Sequence, residues 1–198
     1  MCVHAVFPYM FTLVVVGSLV SFLGNTSHAG STKSFFFTEA SDQMTHSATA
    51  VFHIDRNVDR SSDLLVLDLT NDSKGLTHSA TDVLLGLFFN INGSLTPASA
   101  ELNGSIVVSD SSQTIHPGDG WEVRSGISHE GYNAGVAAAG YGIFGPDGNL
   151  NPDGQPVKLD GSDYGLVGRS FSQSVANASV KLPLFNNGLR FTFKVSEG

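Results

Sequence analysis

Apolar residues occupy every second position in several short segments of this chain, and clusters of Gly, Asn, Asp and Ser separate the segments. In residues 47–54, for example, Ala48, Ala50, Phe52 and Ile54 alternate with mostly polar positions. Because successive side chains of a β-strand point to opposite faces, a period of two predicts strands with one buried face. The pattern predicts strands at residues 34–39, 47–54, 62–70, 83–91, 98–102, 105–109, 121–124 and 189–195.

Helical periodicity contributes little to this pattern. Residues 134–141 come closest to a helix, but Gly135 and Gly140 interrupt them, so we expect a loop or a single turn there. Many short strands without intervening helices are typical of an all-β fold. We therefore predict an antiparallel β-sandwich of jelly-roll or immunoglobulin-like type, with few or no helices after the N-terminal region.

The N-terminal region has the pattern of a secretory leader. A hydrophobic run at residues 11–23 is followed by small and polar residues up to Gly30. The run is shorter than the roughly 20 residues that a spanning helix needs, and Ser27 and Ala29 have side chains small enough for a signal peptidase. We predict a signal peptide at residues 1–29, cleaved after Ala29. An uncleaved membrane anchor is the alternative, because the run is preceded by neither Lys nor Arg.

Residues 30–198 are enough for a single domain that buries a core without disulfides. The one cysteine, Cys2, lies within the predicted leader, which excludes cysteine chemistry from the mature domain. Residues 145–164 are rich in Gly, Pro, Asp and Asn and poor in apolar side chains. This composition predicts a long surface loop.

The charge balance limits the partners of the chain. It has 10 Lys and Arg against 18 Asp and Glu, a net charge of −8 at pH 7, and no basic run. Such a surface repels nucleic-acid phosphates and anionic lipid headgroups. We expect no nucleic-acid partner and no membrane span in the mature chain.

The long loop contains a candidate calcium site. Asn149, Asn151, Asp153 and Asp160 stand at positions one, three, five and twelve of an EF-hand-like spacing, with Gly154 at position six. Asn at position one and Asp at position twelve depart from the preferred Asp and Glu, and two prolines stiffen the segment. A plain surface loop is the favoured interpretation, and calcium is the alternative. No other cofactor is predicted.

Two further groups of side chains have functional alternatives. One contains residue types that a hydrolase uses as acid, base or metal ligand: His116, Asp119, Glu122, His129 and Glu130. Their spacing matches no known mechanism, and the chain has neither a Gly-x-Ser-x-Gly elbow nor a phosphate-binding loop. We therefore favour solvated histidines and predict no catalytic residues.

The second group is aromatic, and flat aromatic rings suit sugar stacking: Trp121, Tyr132, Tyr141 and Tyr164. A lone Trp on a strand more often fills a core, so a core role is favoured over a glycan-binding platform.

A succession of short segments resembles one family. The segments are LDLTN (67–71), TDVLLGLFFNI (81–91), LTPASA (95–100), GWEVRSG (120–126), GIFG (142–145), DYGLV (163–167) and FTF (191–193). In this order they resemble the exosortase-dependent, PEP-CTERM type of bacterial surface protein. The resemblance covers most of the predicted mature region. It implies a signal peptide, export, and attachment or release at the cell envelope, without an assigned enzymatic activity or known site residues.

Members of that family usually continue past the position of Val195 to a Pro-Glu-Pro motif, an apolar helix and a basic tail. This sequence stops at Gly198, and a fragment, a freely secreted protein and retention by a partner all stay open. If the family's downstream strands are absent, either the strand at residues 189–195 or the strand with which it would have paired is expected to expose a sheet edge on which chains assemble. The alternative is a monomer whose edge is protected by its polar residues.

These observations predict a non-catalytic bacterial protein, secreted or at the cell surface, that acts through adhesion or assembly as a structural or extracellular-matrix component. Its expected partners are other copies of itself or an extracellular glycan. A carbohydrate-binding module is the first alternative, and a hydrolase of unknown specificity is the second.

Overall fold

The chain consists almost entirely of β-strands in the part that the computed structural model describes. That part comprises residues 2–6, 13–16, 31–40, 45–55, 63–77, 82–104, 106–108, 116–138, 164–171 and 184–196. The strands are β1 (Cys2–Val6), β2 (Leu13–Val16), β3 (Ser31–Ala40), β4 (Thr45–Asp55), β5 (Asp63–Asn71), β6 (Gly86–Phe89), β7 (Ser94–Leu102), β8 (Ile106–Val108), β9 (Trp121–His129), β10 (Tyr132–Ala138), β11 (Leu166–Val167), β12 (Leu184–Asn186) and β13 (Gly188–Ser196). One 3₁₀ turn at Pro117–Asp119 precedes β9.

The strands form two five-stranded sheets and one small sheet. The first sheet has the order β2-β1-β6-β10-β9, and the second has the order β3-β4-β5-β13-β7. Within both, all described neighbours are antiparallel. The small sheet, β11-β12-β8, contains a parallel pair between β11 and β12.

Aromatic contacts join the inner faces of the two large sheets. Phe52 of β4 meets Phe89 of β6 edge-on, with ring centroids 5.1 Å apart. Trp121 of β9 meets Phe191 of β13 at 5.5 Å. One cluster of buried side chains includes all four rings and residues of the small sheet. This packing confirms the predicted all-β sandwich.

The second sheet has the alternation that the sequence pattern predicts. In β5, Leu65, Leu67 and Leu69 are buried, whereas the residues between them are half-buried on the opposite face. The strands β4 and β13 repeat the pattern. Each fully buried Leu or Phe contributes about 1.5–3 kcal/mol of transfer free energy, so this inner face stabilises the sheet in one register.

The prediction of a loop or single turn at residues 134–141 is wrong for the described residues 134–138. They belong to β10, which pairs with β6 on one side and β9 on the other. The small residues serve close packing, because a Cβ added at Gly135 would lie only 2.6 Å from the Phe88 ring. Both faces of β10 are buried along residues 134–138, so the sequence shows no alternation there.

The strand at residues 189–195 itself does not lie at a sheet edge, so the first of the two alternatives for an exposed edge is wrong. β13 pairs with β5 along one side and with β7 along the other. The edges of the second sheet are β3 and β7. Phe193, at the centre of the supposed edge, is fully buried.

Two stretches of the predicted leader are described, and both are strands. β1 pairs with β6 in the register Val3↔Phe89 and with β2 in the register Val3↔Val15. The predicted cleavage point at Ala29 lies outside the described residues, so the signal peptide stays a prediction. No described helix has the length and apolar character needed to cross a membrane.

Candidate functional site

The second sheet presents a face away from the core, and its composition differs from that of the inner face. We call it the outer face. Strand alternation and register place on it Thr32, Ser34, Phe36, Thr38, Thr49, Val51, His53, Leu64, Val66, Asp68, Thr70, Glu101, Arg190, Thr192 and Lys194. Most of these side chains are hydroxyl-bearing or aliphatic, and the acidic and basic ones are Asp68, Glu101, Arg190 and Lys194.

Phe36 is the exception on the outer face. Its neighbours in sequence, Phe35 and Phe37, are buried, whereas Phe36 is 68% exposed. Alternation requires this result, because three consecutive residues of a strand cannot all face the core. Phe36 lies opposite Thr49 of β4 and follows Ser34 on the same face, so hydroxyl groups surround an exposed ring. Three consecutive phenylalanines in a predicted strand indicate that at least one ring faces away from the core. Phe36 was nevertheless not among the predicted site residues.

An ion pair crosses the middle of the outer face. The Arg190 guanidinium donates through Nε to Asp68 Oδ1 at 2.7 Å and through a terminal nitrogen to Oδ2 at 2.8 Å. The Asn103 amide also donates to Asp68 Oδ1, at 2.9 Å. The hydrogen bond and the charge of Asp68 raise the pKa of Arg190 above its ordinary value. The bidentate geometry holds both side chains in one orientation.

A polar cluster lies beneath the other face of the same sheet, between β4 and the start of β6. His46 Nε2 lies 3.0 Å from Asp82 Oδ1, and the two residues are only 4% and 7% exposed. The fully buried Asn71 amide donates to the Leu166 carbonyl oxygen at 2.7 Å, and its own oxygen accepts from the Ser73 backbone N–H at 3.1 Å. These bonds join the second sheet to the segments before β6 and at β11.

This buried cluster was not predicted, although the alternation of the sequence contains it. Extending the inner-face parity of Ala48 and Ala50 backwards reaches His46, and extending that of Leu69 forwards reaches Asn71. The general expectation of solvated histidines is therefore wrong for His46. A His–Asp pair supplies two of the three members of a hydrolytic triad. The Ser73 hydroxyl, however, accepts from the Ser47 backbone N–H at 3.0 Å and donates to the Ser47 carbonyl oxygen at 3.3 Å.

The residues of the candidate hydrolase cluster take part in separate local interactions. The Asp119 carboxylate accepts a hydrogen bond from the His116 backbone N–H at 2.9 Å and closes the 3₁₀ turn. Glu122 forms an ion pair with Arg124 at 3.1 Å.

The last two members of that cluster lie at the turn between β9 and β10. His129 packs against Phe88, with ring centroids 4.5 Å apart. Glu130 has a φ of 49° in the turn. Within the described ranges, no group of three or more His, Cys, Asp or Glu is placed to hold a metal ion.

Two of the four aromatics considered for sugar stacking are core residues, which agrees with the favoured interpretation. Trp121 and Tyr132 are 4% and 5% exposed. The Trp121 indole N–H donates to the Tyr164 carbonyl oxygen at 2.7 Å, and Gly120 lies so close to the Tyr164 ring that an added Cβ would overlap it. The GWEVRSG and DYGLV segments therefore pack on each other. Tyr141 lies outside the described residues.

The candidate calcium ligands also lie outside the described part of the chain. They are Asn149, Asn151, Asp153 and Asp160. The same holds for the predicted long loop up to residue 163.

No family model, curated protein or solved structure matches this chain. The resemblance to the exosortase-dependent family therefore rests on the quoted segments alone. The outer face and the exposed Phe36 are the features of the described structure from which a function is best inferred.

Proposed function

We propose that the protein is a non-catalytic, exported bacterial surface or matrix protein that acts through adhesion or assembly. The observation that carries the proposal is Phe36, which keeps a large apolar ring 68% exposed on an edge strand. Burying such a ring against a partner gains about 1.5–3 kcal/mol, which the isolated chain forgoes. The edge of β3 beside it has no strand partner among the described residues, and its backbone groups are offered to the same partner.

Export is supported by the leader pattern of residues 1–29 and by the resemblance described above. If cleavage follows Ala29, the secreted form starts at Gly30 and lacks β1 and β2, and β6 becomes an edge of the first sheet. The test is the intact mass of protein recovered outside bacterial cells. A mass that corresponds to residues 30–198 supports the proposal, and a cell-associated chain that retains Met1 contradicts it.

Adhesion is tested in the bacterium that encodes the protein. We expect deletion of the gene to lower cell–cell aggregation, and a Phe36→Lys copy to restore it no better than an empty vector. Leu102→Lys is the matched control, because Leu102 is an exposed hydrophobic residue at the opposite edge of the same sheet. Equal aggregation with Phe36→Lys and wild type would argue against this surface.

Glycan binding on the outer face is the second candidate. It is favoured by the hydroxyls around Phe36 and by the fixed Asp68–Arg190 pair, because sugars are bound by an apolar ring together with charged and hydroxyl hydrogen-bonding groups. Calorimetry with the polysaccharide of the encoding bacterium tests it. Phe36→Tyr is expected to keep binding and Phe36→Lys to lose it, whereas absence of heat with wild type would eliminate this candidate.

A further inference from the structure

Asparagine followed by glycine occurs three times in the chain, at Asn92, Asn103 and Asn187. This dipeptide is prone to spontaneous deamidation, because glycine leaves its backbone nitrogen unhindered and gives the backbone freedom to turn. All three sites lie in the described part of the chain. The same reaction can therefore be compared in three environments.

Two of the three side chains are held by hydrogen bonds. The Asn103 amide donates to Asp68 Oδ1 at 2.9 Å. Asn187 Oδ1 accepts from Arg169 Nε at 3.2 Å, and its amide donates to the Gly104 carbonyl oxygen at 3.4 Å. Both asparagines are half-buried. Each must break a hydrogen bond before its side-chain carbonyl carbon can reach the next backbone nitrogen.

Asn92 is in a different environment. Its side chain is exposed and makes no hydrogen bond with any described residue. The chain just before it is fixed, because the Asn133 side chain bonds both the backbone N–H and the carbonyl oxygen of Ile91 at 2.9 Å. The chain just after it enters β7 at Ser94. Asn92 and Gly93, whose φ is 107°, form the link between these two fixed points.

We propose that Asn92 is a site of spontaneous deamidation in the folded protein and that Asn103 and Asn187 are protected from it. The Gly93 nitrogen attacks Cγ of Asn92, so an N–Cγ bond forms and the Cγ–Nδ2 bond breaks. The proton of the Gly93 N–H leaves with Nδ2 as ammonia. Water then opens the cyclic imide, at Cγ to give aspartate or at the backbone carbonyl carbon to give isoaspartate. The reaction consumes water, releases ammonia and involves no oxidation or reduction.

The new carboxylate has different consequences at the different sites. At Asn92 it replaces an exposed amide that holds no described residue in place, so the contacts of the fold are kept. At Asn103 it would stand beside the carboxylate of Asp68 and compete for Arg190, with repulsion between the two negative charges. The inference is independent of the proposed function, because it follows from the chemistry of one link and involves no partner.

Incubation of the full chain at neutral pH, followed by peptide mapping, tests the proposal. Cleavage after Glu101 separates Asn92 from Asn103, and the change in mass from amide to carboxylate identifies the modified peptide. We expect Asn92 to deamidate about tenfold faster than either other site, which is the difference that one hydrogen bond of ordinary net strength produces. An enzyme that methylates isoaspartate is expected to label the peptide that contains Asn92.

The unfolded chain is the matched control. Asn92 and Asn103 are both followed by Gly-Ser, so their intrinsic rates are expected to be similar. In concentrated urea, where the fold is lost, the two sites should react at similar rates. A difference that persists in urea would assign the effect to the local sequence and overturn the proposal. Equal rates in the native protein would overturn it too, as would an Asn92 that stays intact while the urea sample is converted.

Asp68→Ala tests the protection of Asn103. The variant removes the oxygen to which the Asn103 amide donates, so Asn103 is expected to deamidate faster while Asn92 keeps its rate. Arg190→Gln is the control, because it removes the ion pair of Asp68 but leaves the acceptor of Asn103 in the chain. An Asn103 rate that is unchanged by Asp68→Ala, or raised equally by Arg190→Gln, would contradict protection by this hydrogen bond.

Discussion

The two five-stranded sheets of the sandwich differ in how their central strands are buried. In the second sheet, β5 and β13 bury one face and expose a polar one. In the first sheet, β6 is buried at every residue and β10 at every residue after Asn133. The second sheet therefore has one solvated face, which carries the candidate site, whereas the centre of the first sheet serves packing on both sides.

Because of this difference, substitutions in the two sheets are expected to change the stability of the protein differently. On β13, adjacent residues alternate between the core and the surface. On β10, neither face tolerates added volume.

Phe191→Ala is expected to lower the free energy of unfolding by about 3–5 kcal/mol, because the side chain is fully buried and its loss leaves a cavity beside Trp121. Thr192→Ala, the next residue on the outer face, is expected to change it by less than about 0.5 kcal/mol. Urea unfolding followed by tryptophan fluorescence measures both. Similar losses for the two variants would contradict one-sided burial of β13.

Gly135→Val is expected to destabilise the protein by about 3 kcal/mol, because the added side chain meets the Phe88 ring and the Leu87 carbonyl oxygen at 2.6 and 3.0 Å from its Cβ alone. Gly118→Ala is the control, since an added Cβ there finds its nearest neighbour at 3.9 Å. The same unfolding measurement applies. A neutral Gly135→Val would show that the outward side of β10 has free space.

His46→Leu tests the polar contact between the second sheet and the segment before β6. It is expected to lower the free energy of unfolding by about 1–3 kcal/mol, because Asp82 then loses a buried hydrogen-bond partner. The double variant with Asp82→Leu is expected to cost less than the sum of the single variants. A double-mutant cycle on unfolding free energies measures this coupling. Strict additivity would mean that the two side chains act independently.

Arg190→Gln is expected to have the smallest effect, about 0.5 kcal/mol, because the ion pair on the outer face is solvent-accessible and screened. High salt should reduce the difference between variant and wild type. Since the pKa of Arg190 is raised, its contribution is fully present below the unfolded value and is lost only as the pH rises through the folded value in strong alkali. An Arg190-dependent change of stability near neutral pH would contradict this assignment.

The sequence alone determined which residues of the second sheet face the core. Period-two alternation identified β3, β4, β5 and β13, and the same parity assigns Phe36 to the solvent side and His46 to the inner side. The alternation is informative here because water covers one face of the sheet. Polar residues therefore mark the solvated face, and apolar residues mark the buried face. The residues on the face that carries the candidate site could therefore be assigned from the sequence alone.

Only the tertiary structure decided which strands are neighbours. The alternation along a strand shows which face a residue lies on, but it does not show which strands lie on either side. It could therefore not show that, among the described strands, β13 is central and β3 is at an edge. Nor could it identify β10, because a strand buried on both faces has no alternation, and its Gly and Ala residues are small to accommodate Phe88. The contacts that decide these points join residues far apart in sequence, and short-range pattern does not encode them.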